Sequence, residues 1–181
     1  FGTDGFRGKA GVELTADHAY RIGRFLGWYY GKEHRARIVI GKDTRRSSYM
    51  LEYAISSGIA ASGGDVFLLH VTTTPSVSYV TRTDGFDCGV MISASHNPFY
   101  DNGIKLLNRQ GEKMEDDVLT LIEEYLDGKL EIAENTVQEI PLAVDEKIGS
   151  IVDDTAGRNR YMGYLVSLAV YSMKGKRVAL D

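Results

Sequence analysis

The chain has one cysteine in 181 residues, so no disulfide can form within it. That residue, Cys88, lies among apolar strand-forming neighbours and reads as a buried thiol. Proline is scarce as well, limited to Pro75, Pro98 and Pro141. There is no excess of positive charge: 21 Lys and Arg stand against 25 Asp and Glu, a net charge of −4. This argues against a nucleic-acid partner and leaves Lys42-Asp43-Thr44-Arg45-Arg46 as a local anion-facing or solvated segment. No apolar run reaches transmembrane length and no signal-like segment precedes Phe1, so no membrane partner is expected and the expected location is cytoplasmic. Repeats and low-complexity tracts are also missing.

What is present is an ordinary globular composition, 43% hydrophobic and 25% charged. The length suits one core with a short extension. Helical and strand patterns alternate. Thr15 can cap a helix with Ala19, Ile22 and Leu26 on one face and Gly31 as its stop. Arg37 to Ile40 predicts a strand, and Met50, Leu51, Ala54, Ile55 and Ile59 a second amphipathic helix stopped by Gly63-Gly64. Val66 to Leu69 predicts the next strand. Thr74-Pro75 reads as cap and first position of a third helix, with a strand following at Gly89 to Ser93. This rhythm predicts an α/β fold, a mixed and mainly parallel sheet sandwiched between helices.

The exception lies between Ile92 and Ile104, where no helix fits, so those two strands are expected to be antiparallel neighbours. Glu115-Asp116-Asp117 suit the N-terminus of a helix carrying Val118, Leu119, Ile122 and Leu126. Asp127 to Asp153 is polar and aperiodic, a meander or linker. A helix is expected over 159–171 with Leu165, Leu168 and Ala169 on one side, then a turn at 174–176 into a last strand ending at Asp181. The expected division is a first domain over 1–155, with 156–181 forming the helix and opening strand of a second.

Most of the chemistry is collected in one place. Val90-Met91-Ile92 reads as a buried strand that feeds Ser93-Ala94-Ser95-His96-Asn97-Pro98, and Ile104-Lys105-Leu106 resumes as a strand beyond an Asn102-Gly103 tight turn. Pro98 restricts Asn97 to extended geometry, so the loop should be held rather than floppy. A serine hydrolase fits poorly, because no G-x-S-x-G elbow is present. A passive Ser-rich turn is one reading. A serine that carries a phosphoryl group is another, since phosphoserine bears about −1.5 to −2 charges and needs cations and donors such as Lys105, Asn97, His96 and loop amides.

The run Ser93-Ala94-Ser95-His96-Asn97-Pro98 with Asp101-Asn102-Gly103-Ile104-Lys105 resembles the phosphoserine loop of the α-D-phosphohexomutases. Phe1-Gly2-Thr3-Asp4-Gly5-Phe6-Arg7-Gly8 resembles that family's N-terminal arginine loop. Gly41-Lys42-Asp43-Thr44-Arg45 and Thr72-Thr73-Thr74-Pro75 sit where the family has similar segments. The resemblance implies a mutase that moves phosphate between C6 and C1 of a hexose. The Ser-first loop and the Phe-Gly-Thr-Asp-Gly opening favour a phosphorylated hexosamine as substrate. It also implies a Mg²⁺ cofactor bridging the phosphorylated Ser95 to aspartates of a D-x-D-x-D loop, which is not in this sequence. The chain is accordingly expected to be a fragment of a longer enzyme, inactive alone, with a homodimer as one option for assembly.

Under that resemblance Ser95 is the expected phosphoryl carrier. His96 either moves a proton or shapes the loop, and Lys105 stabilises phosphoryl charge or acts as a base. Arg7 and Asn97 are the expected phosphate contacts. Asp43, Thr44 and Arg45 are given no chemistry, only a helix cap and a surface arginine. His18, His34 and His70 are expected to be structural or solvated, and tyrosines 29, 30, 161 and 164 core or interface. Two alternatives stay open: a mutase acting on glucose or mannose phosphates, and a catalytically silent anion-binding domain.

Overall fold

The structure is a computed structural model that describes residues 2, 5–132, 135, 136 and 139–179. Six strands form one sheet in the order β1 (Phe6–Lys9), β5 (Asp101–Leu107), β4 (Cys88–Ile92), β2 (Arg37–Lys42), β3 (Asp65–Val71) and β8 (Ile151–Asp153). β2 runs parallel to β3 and β4, and β3 parallel to β8, whereas β5 is antiparallel to both β1 and β4. Within this sheet β5 alone is reversed. That is the mixed, mainly parallel arrangement expected from the missing helix between Ile92 and Ile104. A two-residue pair, β6 (Glu131–Ile132) with β7 (Asn135–Thr136), stands apart.

Helices α1 (Ala16–Tyr30), α2 (Arg46–Ala61) and α4 (Asp116–Leu126) share one core with Ile38, Ile40, Val90, Ile92, Ile104 and Leu106 of the sheet. The alternate residues Val39, Met91 and Leu107 belong to a second core with Val77 and Val80 of α3 (Thr74–Thr83). Covering both faces explains why these strands read as continuous apolar runs rather than alternating ones. α1 and α2 meet backbone to backbone. A Cβ on Gly58 would lie 2.1 Å from the Tyr20 carbonyl oxygen, so only glycine permits this approach. α5 (Thr155–Ser167) packs on α3 through Tyr161 and Tyr164 against Tyr79. Among the described residues no helix is long and apolar enough to cross a membrane.

Several expectations need correction. Phe6–Lys9 is a strand rather than a loop, because its backbone pairs with the free edge of β5. Ile151–Asp153, expected in a linker, adds β8 to the other edge. Asn102-Gly103 is no turn: both lie inside β5, and the chain reverses earlier, with the Asp101 amide donating to Pro98 O at 3.0 Å. The cap of α3 is Thr73, one residue before the expected one. α5 spans 155–167 rather than 159–171. Its packed side is the tyrosine side, and Leu165 and Leu168 are exposed. Residues 176–179 form no strand, and Leu180 and Asp181 of the expected last strand lie outside the described residues.

Candidate active site

Residues 93–100 connect β4 to β5 at the carboxyl end of the parallel strands, the usual place for ligands in open α/β sheets. Ser93 is buried, and its amide donates to Gly103 O at 2.8 Å, which fixes the root of the loop on β5. Ser95 is exposed and adopts φ +56, a left-handed backbone that costs a non-glycine residue roughly 1 kcal/mol or more. Its neighbours hold it there. The Ser95 amide donates to Ser93 Oγ at 3.1 Å, and the Ser95 carbonyl accepts from Arg45 Nη2 at 3.2 Å. The same Arg45 nitrogen donates to Asn97 O at 2.5 Å.

The candidate residues fall in three places. His96 follows Ser95 directly, and its Nδ1 lies 3.5 Å from Ser95 Oγ, close enough to exchange a proton after a small adjustment. Asn97 Nδ2 donates to Asp101 Oδ2 at 3.2 Å, so this side chain braces the loop across its base. Lys105 lies on β5 opposite Met91, half-buried, and its side chain makes no hydrogen bond or ion pair among the described residues. A cation in that state is available to an anion. Arg7 on β1 pairs with Gly103. A Cβ at Gly103 would meet both Arg7 Cγ and Ser93 O at 2.9 Å, so the glycine makes room for the arginine stem beside the root of the loop. Phe1, Thr3 and Asp4 of the opening motif lie outside the described residues.

Sequence reasoning passed over the groups that organise this loop. Lys42, read as anion-facing or solvated, is 2% exposed and ion-paired to Glu52 of α2, with its Nζ 4.4 Å from the centre of the Tyr49 ring. Arg45 is not a surface arginine: it bridges Asp43, Ser95 and Asn97. Burial pushes the Asp43 carboxyl up. Hydrogen bonds from Ser48, the Arg45 amide and Ser93, with the Arg45 charge, outweigh that and hold it below the ordinary carboxylate range. Asn102 is fully buried and donates to Ser47 and Ser48 Oγ, both at 2.9 Å, which ties β5 to the first turn of α2. The other histidines have local partners: His18 closes a capping box with Thr15, His34 meets Asp87, and His70 meets Asp153. Cys88 is buried, and burial pushes its thiol up.

For Mg²⁺ the donor set is incomplete. Among the described residues no three His, Cys, Asp or Glu side chains come together as a metal cluster. The nearby Asp43 oxygens are both occupied by protein donors. Ser95, once phosphorylated, would supply hard oxygen ligands, but these residues do not by themselves make an octahedral site.

An α/β/α domain with a clamped, outward-facing serine on a strand-to-strand loop is thus the class this chain defines. Residues 1–133 match the family profile described as phosphoglucomutase/phosphomannomutase, alpha/beta/alpha domain I. The chain belongs to the phosphoglucomutase/phosphomannomutase family. It is 68% identical, over its whole length, to the phosphoglucosamine mutase of Lachnospira eligens and 62% identical to that of Lachnoclostridium phytofermentans. In each case it spans 39% of the relative's length. A crystal structure of a phosphoglucomutase/phosphomannomutase family protein from Burkholderia thailandensis superposes with a TM-score of 0.69 at 25% identity, over 91% of this chain and 35% of that one.

Proposed function

We propose that this chain supplies the phosphoserine domain of a phosphoglucosamine mutase, which interconverts glucosamine 6-phosphate and glucosamine 1-phosphate. The observation that carries the reading is Ser95: its backbone is held in a left-handed geometry by hydrogen bonds, and its hydroxyl is left exposed.

The chemistry is two phosphoryl transfers. In the first, the P–O bond to Ser95 Oγ breaks as a P–O bond to the free sugar hydroxyl forms. The hydroxyl proton leaves to a base, and Ser95 Oγ takes up a proton. The resulting bisphosphate turns over, and the phosphoryl group at the other position returns to Ser95. His96, with Nδ1 3.5 Å from Ser95 Oγ, is placed to hold the proton that Ser95 gains and loses. Arg7, whose stem lies beside the root of the loop, and Lys105 on β5 are the cations that would meet the equatorial phosphoryl oxygens. Phosphorylated Ser95 would offer oxygens to a Mg²⁺, which would neutralise part of the same charge. The amino sugar is favoured over glucose or mannose by the identity to the two phosphoglucosamine mutases over the whole chain.

The test is made on the product of the complete reading frame. Intact mass should show one phosphate, located on Ser95 by peptide mapping. Ser95→Ala should abolish turnover of glucosamine 6-phosphate without lowering thermal stability, because an exposed hydroxyl contributes no packing. Turnover near the unmutated rate in the alanine variant would end the phosphoserine mechanism.

A further inference from the structure

Asp43 follows the last residue of β2, and its amide donates to Ile92 O at 3.0 Å, at the point where β4 enters the loop. Its carboxylate accepts from Ser48 Oγ at 2.6 Å, from the Arg45 amide at 3.0 Å and from Arg45 Nη1 at 2.5 Å, and the nearby Ser93 hydroxyl favours its charged form. Arg45 and Ser93 both continue to Ser95. Ser93 Oγ accepts the Ser95 N–H, and Arg45 Nη2 donates to the Ser95 carbonyl. The Ser95 carbonyl is therefore tied to the Asp43 carboxylate through Arg45, and the Ser95 N–H is held by Ser93, which neighbours the same carboxylate. The side chain takes no part in this and points outward.

The charge on Asp43 matters because an ionised carboxylate only accepts, and the groups that face it are donors. A carboxylate likewise draws the Arg45 guanidinium into a charge-assisted bond that fixes its second nitrogen over the loop carbonyls. An amide at position 43 would present a donor where acceptors are needed. Asn102, through Ser48, anchors the other end of the network in β5.

We propose that Asp43 is the positioning residue for Ser95: its carboxylate, acting through Ser93 and Arg45, locks the Ser95 peptide and so aims the hydroxyl for phosphoryl transfer. This rests on the reading of Ser95 as the phosphoryl carrier. Asp43 touches no reacting atom, and its effect is on geometry.

The experiment is Asp43→Asn in the product of the complete reading frame, followed by hydrogen exchange of residues 94–98 and by steady-state kinetics. Exchange in 94–98 should rise, and kcat should fall about 10²-fold, the order of loss from misplacing a reacting group by about 1 Å. KM should stay within about threefold, because substrate recognition is untouched. Ser93→Ala and Arg45→Ala should each raise exchange in the same segment. Adding Asp43→Asn to the Ser93→Ala/Arg45→Ala double variant should lower kcat by less than about threefold further, since both arms are already gone. Unchanged protection of 94–98 in Asp43→Asn, or a loss that multiplies in full on the double variant, would overturn the proposal. Should Asp43→Asn fail to fold, the two single-arm variants decide in its place: raised exchange in both upholds the clamp, and unchanged exchange in both refutes it. Failure of the phosphoserine reading looks different, as turnover that survives Ser95→Ala. In that event exchange of 94–98 alone decides whether Asp43 holds the loop.

Discussion

Lys42→Met should be among the most damaging single substitutions in this domain. Lys42 and Glu52 are 2% and 1% exposed, and the Lys42 ammonium is the hydrogen-bond partner of Glu52 Oε2. Among the described residues Glu52 Oε1 has no partner. Replacing the lysine with an apolar chain of similar length keeps the packing but strands a carboxylate between β2 and α2. Breaking a buried pair from one side costs about 3–5 kcal/mol. Against a total stability of about 5–15 kcal/mol for a domain, that is a large share. At about 2–4 °C per kcal/mol for a chain of this size, the melting point should fall by about 6–20 °C. Urea unfolding followed by far-UV circular dichroism measures the loss directly, provided the m-value stays constant. The companion variant Lys42→Met/Glu52→Leu removes the charge together with its partner and should recover most of the loss. A single variant within about 0.5 kcal/mol of the unmutated chain, or a double no better than the single, would refute the assignment of a buried, mutually dependent pair.

Other expectations follow from the same geometry. Gly58→Ala places a methyl group 2.1 Å from Tyr20 O, so α1 and α2 must separate; urea unfolding should show a loss of about 1–3 kcal/mol, as for other overpacked cores. Asp43, held below its ordinary value of 3.8, contributes stability that is fully present above that pH and is lost as pH falls through its lower folded value. Thermal melts of Asp43→Asn against the unmutated chain should therefore show a deficit that is constant near neutrality and shrinks below pH 3.8.

The sequence by itself determined the alternation of elements, the reversed strand and the loop that gathers the candidate residues. These features are local: Thr15 caps α1 because a hydroxyl can reach amides within one turn, and the twelve-step interval from Ile92 to Ile104 is too short for a crossover helix. The candidate residues Ser95, His96 and Asn97 were legible for the same reason, being adjacent in the chain. What only the tertiary structure decided is which distant groups meet them. β1 and β8 were invisible because a short strand is defined by the edge it pairs with, not by its own three or four residues. Asn102-Gly103 carries a turn signature, yet pairing with β1 and the hydrogen bonds from Asn102 to Ser47 and Ser48 keep it extended. Arg45 lies fifty positions before Ser95, and nothing in its own neighbourhood distinguishes it from a solvated arginine. It reaches Ser95 because parallel pairing sets β2 beside β4 with their carboxyl ends together. That pairing brings the end of one strand to the loop of the other, and it turns a charge on the first into the geometry of a serine on the second.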